Sequence, residues 1–242
     1  MSEIIPREQP VVQVKGLTKI YDTEGKRTIA LHGLNFSVKR EEICCIFGME
    51  GAGKSALFHQ LAGMESPTWG QILIGGVSVS DLNEEGMALF RQRHIGMIFP
   101  DSNLMPDLTV IENVALPLMF WGMARAERHR IAREMLAQAG LQDSVSCFPG
   151  HLPREMQRQV GIVRAFITRP DIILADEPIW NLDERQAKRI LDLVRDFARR
   201  YRQTVILLSE NPEINRYGDQ LLTLQKGELI RCKIRGTAAD KM

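Results

Sequence analysis

The sequence predicts an α/β fold built on a largely parallel sheet, and three observations carry that prediction. Apolar runs of strand length alternate with stretches of helical period along the chain. Gly48-Met49-Glu50-Gly51-Ala52-Gly53-Lys54-Ser55 has the spacing G-x-x-x-x-G-K-[ST] of a phosphate-binding loop, set between an apolar run and a helical one. Pro170–Pro178 reads as a second buried strand, ending in the adjacent acids Asp176 and Glu177. With 242 residues, 44% hydrophobic and 25% charged, the chain has the balance of one globular domain with room for an inserted subdomain.

Taken in order, Val11–Val14, Ile29–Val38 and Gln71–Val79 show short apolar alternations broken by Gly33, Gly75 and Gly76. They read as strands of a small β layer beside the phosphate loop. Ile43–Phe47 is the buried strand that leads into the loop, and Ala56–Ala62 the helix that leaves it, stopped by Gly63. Glu84–Arg93 reads as a surface helix and His94–Phe99 as another buried strand. From Thr109 to Gln142 the period is helical, with Val110, Val114 and Leu118 followed by Ile131, Met135 and Leu136. That block lies between two strand–helix units and reads as an inserted helical subdomain. Glu155–Thr168 is a helix, Asp171–Ala175 a strand, Glu184–Tyr201 a helix and Thr204–Ser209 a strand. Gln220–Leu224 and Glu228–Lys233 read as a terminal hairpin around Lys226-Gly227. The whole chain, 1–242, is expected to form a single domain. Its core and β layer occupy about 11–99 and 159–233, its helical subdomain about 100–158.

The chemistry follows from residue types. Small residues let the backbone N–H groups of Gly48–Ala56 wrap a polyphosphate, and the helix that follows adds a partial positive charge. Lys54 reaches the terminal phosphates, and the Ser55 hydroxyl suits Mg²⁺. An acid at the carboxyl end of a strand beside such a loop can hold the same ion, which is the role expected of Asp176. Glu177 then stands as the general-base candidate. Alone, an apolar run ending in Asp-Glu reads more often as a helix start; the phosphate loop is what gives it meaning.

Other classes are disfavoured. A net charge of +1 gives no electrostatic case for nucleic acid. Arg125, Arg128, Arg130 and Arg133 have the spacing of one solvated helix face. Met1–Pro10 lacks the apolar core of a secretory signal. Asn113–Ala124 is too short to span a bilayer and contains Pro117. Cys44, Cys45, Cys147 and Cys232 lack metal-ligand spacing, and the adjacent Cys44 and Cys45 should point to opposite faces of their strand. Reduced cysteines in a cytoplasmic protein are expected.

Beyond these residues, the chain resembles a known family. Ile172–Asp183 (IILADEPIWNLD) is similar to the LLADEPTGNLD segment of ABC transporter nucleotide-binding subunits. Leu108–Leu118 (LTVIENVALPL) resembles the branch for lipoprotein release, macrolide export and cell division. Val160–Phe166 (VGIVRAF) resembles the helix that follows the family's signature motif. The likeness runs from about Val11 to Gly227 with segments in the expected order. It implies a P-loop NTPase fold with a RecA-like core, an antiparallel β layer and an inserted helical subdomain. It also implies ATP and Mg²⁺ as cofactors and a homodimer or heterodimer of such subunits. A membrane permease partner on the cytoplasmic face of the inner membrane is implied as well, docked near Asn113–Ala124, where Leu118, Met119, Phe120, Trp121 and Met123 would border its groove. By the same resemblance Tyr21 matches the aromatic that stacks on adenine, and Asn181, Leu182 and Asp183 match a loop that contacts the opposite protomer.

Several positions depart from the family pattern. Pro100 stands where the family has a Gln that helps hold Mg²⁺ and the attacking water. The signature, typically LSGGQ, reads Leu152-Pro153-Arg154-Glu155-Met156. Glu210 replaces a His that contacts the terminal phosphate. Glu50 stands for Ser or Asn, and Ala56 lacks a usual hydroxyl. Two readings follow. One is a subunit that binds Mg-ATP with weak or lost hydrolysis; the other is a nucleotide-independent scaffold or regulatory subunit of the same kind of complex. No guanine-reading motif favours a GTPase.

Overall fold

A computed structural model describes residues 10–235 apart from residue 24. The reading of Met1–Pro10 therefore lies, except for Pro10, outside the described residues. In chain order the elements are β1 (Pro10–Thr23), β2 (Lys26–Lys39), β3 (Ile43–Phe47), α1 (Lys54–Leu61), β4 (Trp69–Ile74) and β5 (Val77–Ser78). Next come α2 (Glu84–His94), β6 (Ile95–Ile98), α3 (Val110–Phe120), α4 (Arg125–Gln138) and α5 (Arg154–Phe166). The chain ends with β7 (Ile172–Asp176), α6 (Glu184–Tyr201), β8 (Thr204–Ser209), β9 (Gln220–Gln225) and β10 (Glu228–Ile234).

Two sheets result. A six-stranded sheet runs β10-β9-β3-β8-β7-β6, parallel from β9 to β6 and closed at one edge by the antiparallel β10. Its central strands, Ile43–Cys44–Cys45–Ile46 and Ile172–Ala175, are buried on both faces, as continuous apolar runs require. The second sheet is antiparallel, ordered β2-β1-β4-β5. Its long pair differs from the sequence reading, which took Gly33 as a break. The β1–β2 ladder instead absorbs its irregularities as register shifts, one of them between Val14 and Leu17, where Gly16 has φ 58°.

The larger sheet divides the interior in two. Cys45, Ile173 and Val205 face a core built with α3, α4, α5 and α6. Cys44, Leu174 and Ile206 face one built with α1, α2 and the antiparallel sheet. The adjacent cysteines do point opposite ways, as strand alternation demands.

Between β6 and β7 the chain is helical, but not as one helix. Gly122, at φ 75°, ends α3 with a left-handed residue, its N–H donating to Met119 O at 2.9 Å. Asn113 on α3 is fully buried and holds the approach loop: its amide donates to Met105, Leu108 and Thr109 carbonyls and accepts from the Met105 N–H. At the start of α6, Asp183 and Gln186 cap one another reciprocally. No helix among the described residues is long and apolar enough to cross a membrane.

Candidate functional site

The loop after β3 can form only with glycine at two places. A Cβ on Gly53, which has φ 105°, would sit 2.5 Å from the Ala30 carbonyl oxygen. One on Gly48 would meet Leu224 O at 2.8 Å and Ala52 Cβ at 2.9 Å. The loop is thus pressed between β2 and β9, and its backbone turns directly into α1. Lys54, the first residue of α1, is buried; its ammonium donates to Gly48 O at 2.7 Å and Met49 O at 3.2 Å. The same Nζ lies 3.3 Å from Glu177 Oε1.

Glu177 follows the last residue of β7 and takes a left-handed backbone, φ 44°, that a glutamate rarely adopts. Its N–H donates to Leu208 O at 2.8 Å. Its carboxylate accepts the Ser209 hydroxyl at 2.6 Å and the Glu210 N–H at 2.9 Å, so both oxygens are engaged. Asp176 ends β7 half-buried. Burial, and then the Glu177 charge, push its carboxyl above the ordinary value, against the opposing pull of His59 and Lys54. Its Oδ1 is buried without a hydrogen-bond partner. A buried carboxylate oxygen without a donor is a group that a cation can satisfy.

Glu50, Gly51, Gly53, Lys54, Ser55, Ala56 and Glu177 line one open cleft of about 720 Å³, with Trp180, Glu210 and Lys226. Gly48, Met49, Ala52 and Asp176 are not among the lining residues; Met49 is exposed and Ala52 buried. Tyr21 is not among the lining residues. Its hydroxyl donates to Glu65 at 2.8 Å, Lys19 lies over its ring, and burial pushes its ionisation up to about 12.

A second cleft, of about 660 Å³, adjoins the first through Trp180. Pro100, Pro153, Arg154, Glu155, Asn181 and Leu182 line it, so the positions flagged around the signature are brought together. Glu155 is not free there: Arg189 of α6 holds it in a bidentate pair at 2.6 and 2.8 Å. Buried Arg158 of α5 was not singled out by its sequence position. Its guanidinium donates to Trp180 O at 2.9 Å, Pro178 O at 3.1 Å and Pro100 O. An arginine one turn into a helix reads as solvated; only the tertiary structure supplies its partners.

Comparison with known proteins decides the family. The ABC transporter family matches over residues 31–180. This chain belongs to it. Among the relatives of the ABC subunit, an uncharacterized ABC transporter ATP-binding protein of Thermotoga maritima is 36% identical over 226 residues, spanning 93% of this chain and 96% of the relative. The lipoprotein-releasing system ATP-binding protein LolD of Nitratidesulfovibrio vulgaris is 34% identical over 220 residues, 91% of this chain and 94% of its own. In structure, the dimeric post-hydrolysis state of the ATP-binding cassette MJ0796 bound to ADP and Pi superposes with a TM-score of 0.85 at 32% identity, covering 92% of this chain and 98% of that one. The ABC subunit is therefore an ATP-binding protein of a transporter by descent, with the P-loop NTPase fold.

Proposed function

We propose that this subunit binds Mg-ATP over the phosphate loop, pairs with a second ATP-binding subunit and couples to a membrane permease, with ATP hydrolysis weak or lost. The observation that carries the reading is an asymmetry between two groups of residues. Lys54 sits in its loop, Ser55 is exposed in the cleft, and the buried Asp176 oxygen lacks a donor, so the residues fit a nucleotide with its metal. Ser55 and Asp176 would hold Mg²⁺, which when bound neutralises phosphate charge. The groups that would act on the terminal bond are replaced: Pro100 lacks the side chain that would help hold Mg²⁺ and the attacking water, Pro153 offers no N–H, and Glu50 and Glu210 add carboxylates to the cleft. Loss of one donor to developing charge commonly raises a barrier by about 2.7–4 kcal/mol. Several losses together, though not additive, are enough to bring turnover near background. Glu155 contributes little to that repulsion, because Arg189 neutralises it.

Further parts of the reading rest on the family. The domain division stated from the sequence, the stacking of Tyr21 on adenine and the cytoplasmic face of the inner membrane as location are proposed with it. The Leu108–Leu118 segment supports the lipoprotein-release and macrolide-export branch. Of the residues expected to border the permease's groove, Leu118 is buried in the core and Met123 packs against it; the surface proposed for the permease is a groove of about 380 Å³ lined by Met97, Phe99, Leu116, Pro117 and Phe120.

Calorimetric titration with ATP and Mg²⁺, followed by phosphate release from the permease-bound complex, tests the proposal. Saturable binding and equal release from wild type and Glu177→Gln are expected. Magnesium-dependent turnover that disappears in Glu177→Gln would overturn the weak-hydrolysis half. Absence of binding at millimolar ATP would favour the scaffold reading.

A further inference from the structure

We propose that Lys226 is a second cationic phosphate-binding group of the cleft, acting from the tip of the β9–β10 hairpin; the inference rests on the nucleotide reading above. Lys226 and Gly227 form a two-residue turn closed by the pairing of Gln225 with Glu228. Both have positive φ, 49° and 79°. Turns with two such residues favour Asn-Gly or Asp-Gly, because any Cβ crowds the backbone there and only a short polar side chain offsets this with a local hydrogen bond. A lysine held there is strained, and strain of this kind gathers where a side chain serves a function.

Lys226 also has a fixed root. The Gly227 N–H donates to Ala52 O of the phosphate loop at 2.9 Å, and Gly227 O accepts from the His32 N–H at 2.8 Å. A Cβ on Gly53 would lie 3.6 Å from Gly227 Cα, so loop and hairpin tip are in van der Waals contact. From that root Lys226 lines the same cleft as Gly51, Gly53, Lys54 and Ser55.

The charge balance supplies the reason. The lining holds three carboxylates, Glu50, Glu177 and Glu210, against the two ammonium groups of Lys54 and Lys226. Lys54 is committed to two loop carbonyls and to Glu177. Among the described residues no hydrogen bond or ion pair occupies the Lys226 ammonium, and its side chain is exposed. It is the uncommitted cation of an acidic cleft. A polyphosphate entering there meets repulsion that a lysine, a point charge on a long stem, can offset. The ligand class is thus a nucleoside di- or triphosphate, recognised through phosphate from two sides.

Two variants separate charge from fold. Lys226→Asn removes the cation and suits the turn; Lys226→Arg keeps the cation. Wild type and both variants are titrated with Mg-ATP, Mg-ADP and adenosine at low ionic strength. Lys226→Asn should weaken Mg-ATP about five- to tenfold, Lys226→Arg should stay within about twofold, and adenosine should not change. Without nucleotide, the thermal midpoint of Lys226→Asn should equal or exceed that of wild type. Equal Mg-ATP affinity in wild type and Lys226→Asn would overturn the inference, as would a parallel loss of adenosine binding. Wild type that binds no Mg-ATP at millimolar concentration would instead overturn the nucleotide reading itself, and this inference with it.

Discussion

Asp176 concentrates the site's electrostatic tension in one side chain. Its carboxyl is pushed above the ordinary value of 3.8, first by burial and then by the charge of Glu177. A carboxyl whose folded value is raised contributes stability that is present below the unfolded value and lost as pH rises through the folded one. At neutral pH the anion is therefore carried at a cost to the folded state. Asp176→Asn should raise the thermal midpoint of the nucleotide-free protein by about 2–4 °C at pH 7. That gain should shrink as pH falls toward the carboxylate range. Magnesium with ATP should stabilise wild type and fail to stabilise the variant. Melting curves across pH 4.5–7.5 check both, and a variant less stable than wild type at pH 7 would contradict the assignment. Lys54 and Ser55 were legible because the spacing of their motif fixes a strand–loop–helix unit, and Asp176 because it closes an apolar run that folds as β7. Tyr21 was named only by likeness to a family, and here its hydroxyl is spent on Glu65.

Elements meet in this fold through a few side chains that cross between them, and Arg158 is the principal one. One guanidinium on α5 serves three carbonyls: Pro100 after β6, and Pro178 and Trp180 after β7. Burial lowers its ionisation below the ordinary arginine value, though the group remains charged. Arg158→Ala would leave those carbonyls without their donor, and we expect a loss of about 2–4 kcal/mol. Lysine should rescue little, since an ammonium cannot reproduce a planar fork. Hydrogen exchange should quicken at residues 101–104 and 179–182 in the variant and remain slow in β3 and β8. Uniform acceleration, or none, would show that the clamp does not join these segments. Why such contacts escape a reading of the sequence is plain in physical terms. The strands and helices follow from local period and punctuation, so β3, β7, β8 and α6 matched their elements closely. Arg158 and the Arg189–Glu155 pair depend on which helix packs beside which, and residue order does not state that. Within Thr109–Gln142 the two apolar sets, Val110–Leu118 and Ile131–Leu136, fall on α3 and α4, divided at Gly122 as a glycine in a helical run leads one to expect.

At the scale of the whole molecule, the phosphate cleft and the apolar groove occupy different parts of the larger sheet's surroundings. The cleft lies where β2, the phosphate loop and the β9–β10 turn converge, and the groove between α2, β6, α3 and α5. At the groove's end Phe120, which lines it, is 63% accessible, and the adjacent Trp121, which lines a neighbouring hollow with it, is 43% accessible. Trp121 still donates through its indole N–H to Gln92 O, and the Gln92 amide donates to Phe120 O, so α2 and the end of α3 hold this apolar rim in place. An aromatic kept exposed on a fixed backbone costs the monomer little and gives a partner helix area to bury. If the permease docks there, Phe120→Asp should cut its co-purification about tenfold or more. The thermal midpoint and Mg-ATP affinity should stay at wild-type values, because Phe120 contributes nothing to either core cluster and does not line the cleft. The complementary variant, Lys54→Ala, should lose nucleotide and keep the permease. The two losses separating in this way would establish that docking and nucleotide binding are independent surfaces of one subunit. Loss of the permease in Lys54→Ala as well would mean that nucleotide must be bound before the groove is competent, so that the two surfaces are coupled through the fold.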